Sequence, residues 1–374
     1  MITKFREVSG KSLITDDHSL WYHIQDGTFQ RTKWLAVEHG FNKGLTVKQI
    51  HSKLQVNYDK SNGFENYDWT QEPSESWDEL MKNHALYFRD NYEYLSILFS
   101  GGQDSLYILN IFLENKIKVD EIIVYRSQLP GFDNNYINAE PEGIALPYLS
   151  RLDMTDIGNP LVTIHSIDSW ELMNEYLSQE WSFNNSSNLL QRTPGNAAQM
   201  TIERRPGNSV MLRGTTEPCV YYDEKLGKFY AEIWDTDNHI DGHQTKIKTP
   251  FFTSPEYPKI HAKQCHIVKN WLRKNNSFIN ILNSGKEYKA MYADLVRGGA
   301  KKRINTKSPF FNKKSGGSIF TEKKSVHFVK QLKQMNKGLL DNYMGTANTL
   351  LRGMALQEYN THSLGVTFGK FYLE

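Results

Sequence analysis

Cysteine is nearly absent from this chain. Only Cys219 and Cys265 occur in 374 residues, and no C-x-x-C pair is present. That argues against a disulfide framework and against a cysteine zinc site. Long apolar runs are missing too. No stretch reaches the ~20 apolar residues that a membrane-spanning helix needs, and the opening MITKFREVSGK lacks the apolar core of a signal peptide. The expectation is a cytoplasmic protein with no membrane partner. Charge of one sign is also lacking. A net charge of +2 carries no global polyanion-binding signal. Two common phosphate loops are absent: there is no G-x-x-x-x-G-K-S/T, and no G-x-G-x-x-G follows a strand-like run.

What is abundant is aromatic. Phe, Trp and Tyr make up 13% of the chain, which fits a well-packed core of one large or two medium domains. The most informative segment is LSILFSGGQDS, residues 95–105. Leu95, Ile97, Leu98 and Phe99 suit a buried strand, and LYILNIFLEN reads as a helix. Between them Ser100, Gly101, Gly102, Gln103, Asp104 and Ser105 form a small-residue turn. A strand, such a turn and a helix N-terminus together make an anion site. Glycines let backbone N–H groups approach phosphate oxygens, and the helix dipole adds positive potential. Ser100 and Ser105 bring hydroxyl donors. Asp104 is repulsive beside a phosphate unless a divalent cation bridges them, and Mg²⁺ prefers such oxygen ligands. The bland alternative is a strand-to-helix turn with no ligand.

SGGQDS resembles the PP-loop, SGGxDS, of the ATP pyrophosphatase superfamily (N-type, adenine nucleotide alpha hydrolase-like), which includes asparagine, GMP and NAD synthetases. The resemblance implies a HUP-type, Rossmann-like α/β fold: a parallel sheet with helices on both faces, plus N- and C-terminal α+β additions. It implies ATP and Mg²⁺ as ligands, with cleavage of ATP to AMP and pyrophosphate. RDNYEYLSILFSGGQDS together with the later PFF-x-SPEYP looks like uncharacterised PP-loop proteins of tailed phages, which would put the protein in a host cytoplasm. Several subfamilies are disfavoured. Position 2 is Ile2 and no cysteine precedes Cys219, so a glutaminase with an N-terminal cysteine nucleophile is excluded. Thiol, zinc and iron–sulfur members lack their ligands here. Adenylation of an acceptor oxygen, followed by attack of an amine or ammonia, is the expected chemistry. A nucleic-acid base as acceptor, and a non-catalytic nucleotide-binding protein, stay open.

The chain divides into residues 1–94, an N-terminal α+β extension; 95–235, the nucleotide-binding α/β core; and 236–374, a mostly helical region. Ser74 or Ser76 should cap a helix through SWDELMKNHALYFRDNY. VDEIIVYRSQ reads as a second strand. The resemblance brings Tyr125 and Arg126, at its end, near the adenosine. SVMLRGTTEP reads as a strand running into a polar turn. Gly214, Thr215, Thr216 and Glu217 would then end on the same rim as Ser100–Ser105. Glu217 reads either as a metal or acceptor ligand beside Asp104, or as part of a capped turn.

Two further stretches carry alternatives. Asp235, Asp237, His239, Asp241 and His243 recur at every second position, as a metal-binding strand face or as a hydrated turn. Residues 301–324 hold eight basic side chains and one acidic one, with Phe310, Phe311 and a Ser-Gly-Gly stretch. They read as a lid over ATP in which Lys301 and Arg303 meet the phosphates, as a nucleic-acid contact, or as a solvated charge run.

Overall fold

The computed structural model describes residues 4–9, 20–30, 36, 39–40, 42–58, 63–128, 138, 140–168, 208–214, 218–234, 248–275, 279 and 367–374. At its centre is a parallel α/β sheet of Rossmann-like order. The strands are β1 (Phe5–Ser9), β4 (Tyr94–Leu98), β5 (Glu121–Gln128), β6 (Leu161–Asp168), β7 (Ser209–Arg213) and β10 (Lys248–Pro250). Their spatial order is β1-β6-β5-β4-β7-β10, and every pairing is parallel. Counted from β4, the order runs 3-2-1-4-5, with β1 added at one edge. Two of these strands, β1 and β10, lie outside residues 95–235. Each is short and stands at an edge, where Pro250 is tolerated.

Two antiparallel sheets complete the described strands. β2 (Leu20–His23) pairs with β3 (Gln55–Tyr58), and β9 (Lys228–Trp234) sits between β8 (Cys219–Asp223) and β11 (Thr367–Tyr372). Val220, Phe229, Ala231 and Ile233 of the latter sheet join Cys265, Val268 and Leu272 in one apolar cluster.

The helices follow local signals. Helix α1 (Val47–Lys53) starts at Thr46, whose side chain and Gln49 cap each other. Helix α2 (Trp77–Asn91) starts at Ser76, which forms the same reciprocal box with Glu79. Its Leu80, Met81, Ala85 and Phe88 bury one stripe against the sheet. Helix α3 (Gln103–Glu114) leaves β4 through the glycine turn. A π-type turn (Pro141–Ala145) runs into the short α4 (Leu146–Leu149). Helix α5 (Lys259–Lys274) begins after Pro258. Its Lys263 binds Glu72 at 2.8 Å and its His266 meets the Trp69 carbonyl at 2.9 Å, so both serve packing. Among the described residues no helix is long and apolar enough to cross a membrane.

Beneath the sheet, a buried carboxylate ties strands together. Glu121 has no solvent exposure and accepts from Arg6 at 3.2 Å, Tyr94 at 3.1 Å, Ser96 at 3.4 Å and Thr163. Four strands thus converge on one anion at the amino end of the sheet. Glu121→Gln keeps the shape but turns one acceptor into a donor facing other donors. It should cost about 1–3 kcal/mol, read as a lower denaturant midpoint at unchanged slope. An unchanged midpoint would mean that the net adds nothing.

Candidate functional site

The turn after β4 is set by two glycines with different duties. Gly101 has φ +80°, a left-handed conformation in which a Cβ is strained. A Cβ there would also stand 3.1 Å from the Ala145 nitrogen and from Ile144 Cγ2. Gly102 is the N-cap of α3 and makes no side-chain capping bond. The first intrahelical amide bond runs from Leu106 N–H to the Gly102 carbonyl at 3.0 Å, so amides 103–105 lie ahead of it.

The two serines close the turn. The Ser105 hydroxyl donates to the Gly102 carbonyl at 3.1 Å and accepts from the Ser100 amide at 3.3 Å. The Ser100 hydroxyl accepts from the Gly102 amide at 3.2 Å and lies 3.3 Å from Ser105 Oγ. Each hydroxyl has one proton. That of Ser105 is committed to the turn, leaving Ser100 as the hydroxyl able to turn outward. Ser105 is buried.

Asp104 sits in the first turn of α3, where a carboxylate complements the helix dipole. Its backbone touches the end of β7. A Cβ placed on Gly214 would fall 2.5 Å from Asp104 Cβ, 2.9 Å from its carbonyl carbon and 3.0 Å from the Ser105 nitrogen. Gly214 thus lets the rim of β7 close onto the turn after β4. These are the strands between which the order reverses, where open α/β sheets bind ligands.

Tyr125 and Arg126 lie on β5. Tyr125 stands opposite His165 in register, with ring centroids 5.5 Å apart. Arg126 Nε is 2.6 Å from Glu142 Oε1 in the π-type turn that also meets Gly101. The structure therefore brings Ser100–Ser105 and Gly214 together at one rim. Thr215, Glu217, Lys301, Arg303, the run Asp235–His243 and residues 301–324 lie outside the described residues. Among those described, no group of three His, Cys, Asp or Glu side chains is arranged to hold a metal ion. Both cysteines are buried and unbridged. Burial pushes the Cys265 thiol well above its ordinary pKa, which fits a core residue rather than a nucleophile.

Sequence reasoning passed over Glu142 as a partner for Arg126, the buried His165 beside Tyr125, and the buried Arg213 immediately before Gly214. A signal existed for the latter two. They are polar residues inside strand-like runs, on strands that a parallel sheet buries on both faces. No protein-family model matches the chain, and neither does any curated protein.

Proposed function

We propose that this protein is an ATP-dependent adenylating enzyme of the PP-loop type, built on a HUP-type core. The observation that carries the reading is the SGGQDS turn itself. It follows the first strand of a 3-2-1-4-5 parallel order, at the carboxyl end of β4 beside β7. Amides ahead of the first helical bond, a left-handed glycine and the α3 dipole suit a pyrophosphate.

The donor set fits ATP phosphates, and Asp104 fits a shared Mg²⁺. A lone protein carboxylate is enough when phosphate oxygens and water complete the shell. Mg²⁺ would neutralise charge on the departing pyrophosphate. The turn amides would hold that pyrophosphate in place, and the closed serine bonds would keep them rigid. Lys301 and Arg303 are proposed to add positive charge there. An acceptor oxygen would attack the α-phosphorus, and an amine or ammonia would displace AMP. No side chain of this protein needs to be a nucleophile.

Release of pyrophosphate from α-labelled ATP, with accumulation of labelled AMP, tests the reading. Asp104→Asn should slow that release by about 100-fold or more while metal-free nucleotide binding persists. Full turnover in the variant would reduce Asp104 to a helix-capping charge. The basic sequence at 301–324 favours a second reading, with a nucleic-acid base as acceptor. It predicts oligonucleotide binding that weakens steeply with salt.

A further inference from the structure

The phosphate turn leans on a second, irregular turn. A Cβ on Gly101 would stand 3.1 Å from the Ala145 nitrogen and 3.1 Å from Ile144 Cγ2, both in the π-type turn. Gly101 is therefore seated on backbone, and the seat is only as well placed as the turn that carries it. Within that turn the Leu146 N–H reaches back five residues to the Pro141 carbonyl. Pro147, at the start of α4, explains the irregularity. It has no N–H to offer the Gly143 carbonyl, and in a regular helix its ring would crowd that carbonyl. A single π-type turn makes room, and such turns occur often at functional sites. One side chain pins the turn to the sheet. Ile122 and Val124 of β5 share the apolar cluster of Ala145 and Leu149, and the two-residue strand period puts Arg126 on the same face. The Phe99 N–H donates to the Ile123 carbonyl at 2.9 Å, which carries the pairing of β4 and β5 to within two residues of Gly101 and three of Arg126. There Arg126 Nε meets Glu142 Oε1 at 2.6 Å, with the side chains 23% and 41% exposed. Glu142 lies in the π-type turn, just ahead of Ile144 and Ala145.

We propose that Arg126 and Glu142 are a positioning pair. Their ion pair holds the π-type turn against Gly101 and so keeps the turn after β4 in its phosphate-binding shape. The inference rests on the adenylation reading and adds a support for its nucleotide site. The resemblance expects Arg126 near the adenosine. The pair gives it a different duty, exerted through Glu142 rather than on the nucleotide. A partly exposed ion pair adds little to the stability of the whole fold. Its effect belongs in ligand affinity, because a loop already held in its bound shape avoids the cost of being ordered when the ligand arrives. Charge acts in the same direction. Glu142 without Arg126 would set a bare carboxylate beside the turn that has to receive a polyphosphate.

The test is binding of α,β-methylene ATP, whose α–β bridge cannot be cleaved to pyrophosphate, to the full chain with Mg²⁺. Denaturant midpoints are measured in parallel. Glu142→Gln keeps the shape and removes the charge. It should weaken binding about 3- to 10-fold, with the midpoint nearly unchanged. Arg126→Glu should weaken binding further, since two carboxylates then face each other beside the phosphates. Combining Arg126→Glu with Glu142→Arg rebuilds the pair with its ends exchanged, and should restore affinity to within about twofold of the unaltered protein. Unchanged affinity in Glu142→Gln overturns the pair. Tighter binding overturns it too, because Glu142 would then be restraining Arg126 from the phosphates. An exchanged protein as weak as Arg126→Glu alone also overturns it, because Arg126 would then touch the nucleotide itself. Each of these three results leaves the adenylation reading standing. Absence of binding by the unaltered protein would remove that reading and the pair with it.

Discussion

Gly214→Ala is expected to abolish measurable ATP binding while leaving the sheet folded. The added Cβ would stand 2.5 Å from Asp104 Cβ and 2.9 Å from the Asp104 carbonyl carbon. Carbon atoms pack at about 3.5–4.0 Å, so roughly 1 Å must be found. The atoms in the way belong to the first turn of α3 and cannot swing aside like a side-chain tip. Either the end of β7 or the helix N-terminus has to move. A displacement of that size takes the turn amides off the position the phosphates would occupy, which removes binding, and the overpacking itself costs about 1–3 kcal/mol of stability. Calorimetry with a non-hydrolysable ATP analogue, beside a denaturant titration, reads both effects. Undiminished analogue affinity in a folded Gly214→Ala protein would show that the rim between β4 and β7 does not hold the nucleotide.

The contact behind that expectation was out of reach of the sequence for a plain reason. Asp104 and Gly214 are far apart along the chain and meet only because β7 lies next to β4. Strand identity was legible where a run was apolar and ended in small residues, as in LSILFSGG and SVMLRG. Neighbour order was not, because parallel pairing leaves no local mark. The start of α2 was legible to within two residues: Ser74 and Ser76 both read as caps, and the box that Ser76 closes with Glu79 decides between them. Strand β10 was not: three residues cannot display an alternation, and Pro250 argues against a strand unless its edge position is known. The hairpin of β8 and β9 was likewise passed over. Its turn, Glu224 to Gly227, includes the exposed apolar Leu226 and offers only Gly227 as punctuation, so the two runs were not separated in the sequence. On the site side, the glycine turn spoke for itself because its chemistry is local. The shared sheet face of Tyr125, His165 and Arg213 did not, since it is fixed only by register.

His84 illustrates the same gap and carries the second large expectation, which concerns acid stability. It lies on the buried stripe of α2, yet its residue type suggests surface. In the structure it is fully buried, with Phe88, Phe251 and Tyr257 rings at 4.5–4.8 Å. Its Nε2 is 2.6 Å from the Phe251 carbonyl, a residue that no local signal links to α2. That carbonyl requires a proton on Nε2, and the buried Nδ1 has no hydrogen-bond partner to favour a second proton. Burial drives its pKa down from 6.5 to about 3, and the carbonyl bond offsets only part of that shift. Between those two values the unfolded chain binds a proton that the folded chain refuses. Stability is therefore fully present above about pH 6.5 and is lost as pH falls, at about 1.4 kcal/mol per unit. From pH 6.5 to 5 the loss from this one ring is about 2 kcal/mol, above the range where unfolded carboxylates titrate. Burial also lowers the His266 pKa, so that ring adds to the slope of the unaltered protein. His84→Leu cancels only the His84 share. Its stability at pH 7 should fall, because the Phe251 carbonyl loses its donor, but its decline from pH 7 to pH 5 should be shallower by about 2 kcal/mol. Denaturant midpoints at the two pH values measure the difference. Parallel declines in the two proteins would mean that the folded state accepts the proton on His84, and the buried neutral ring would have to be abandoned.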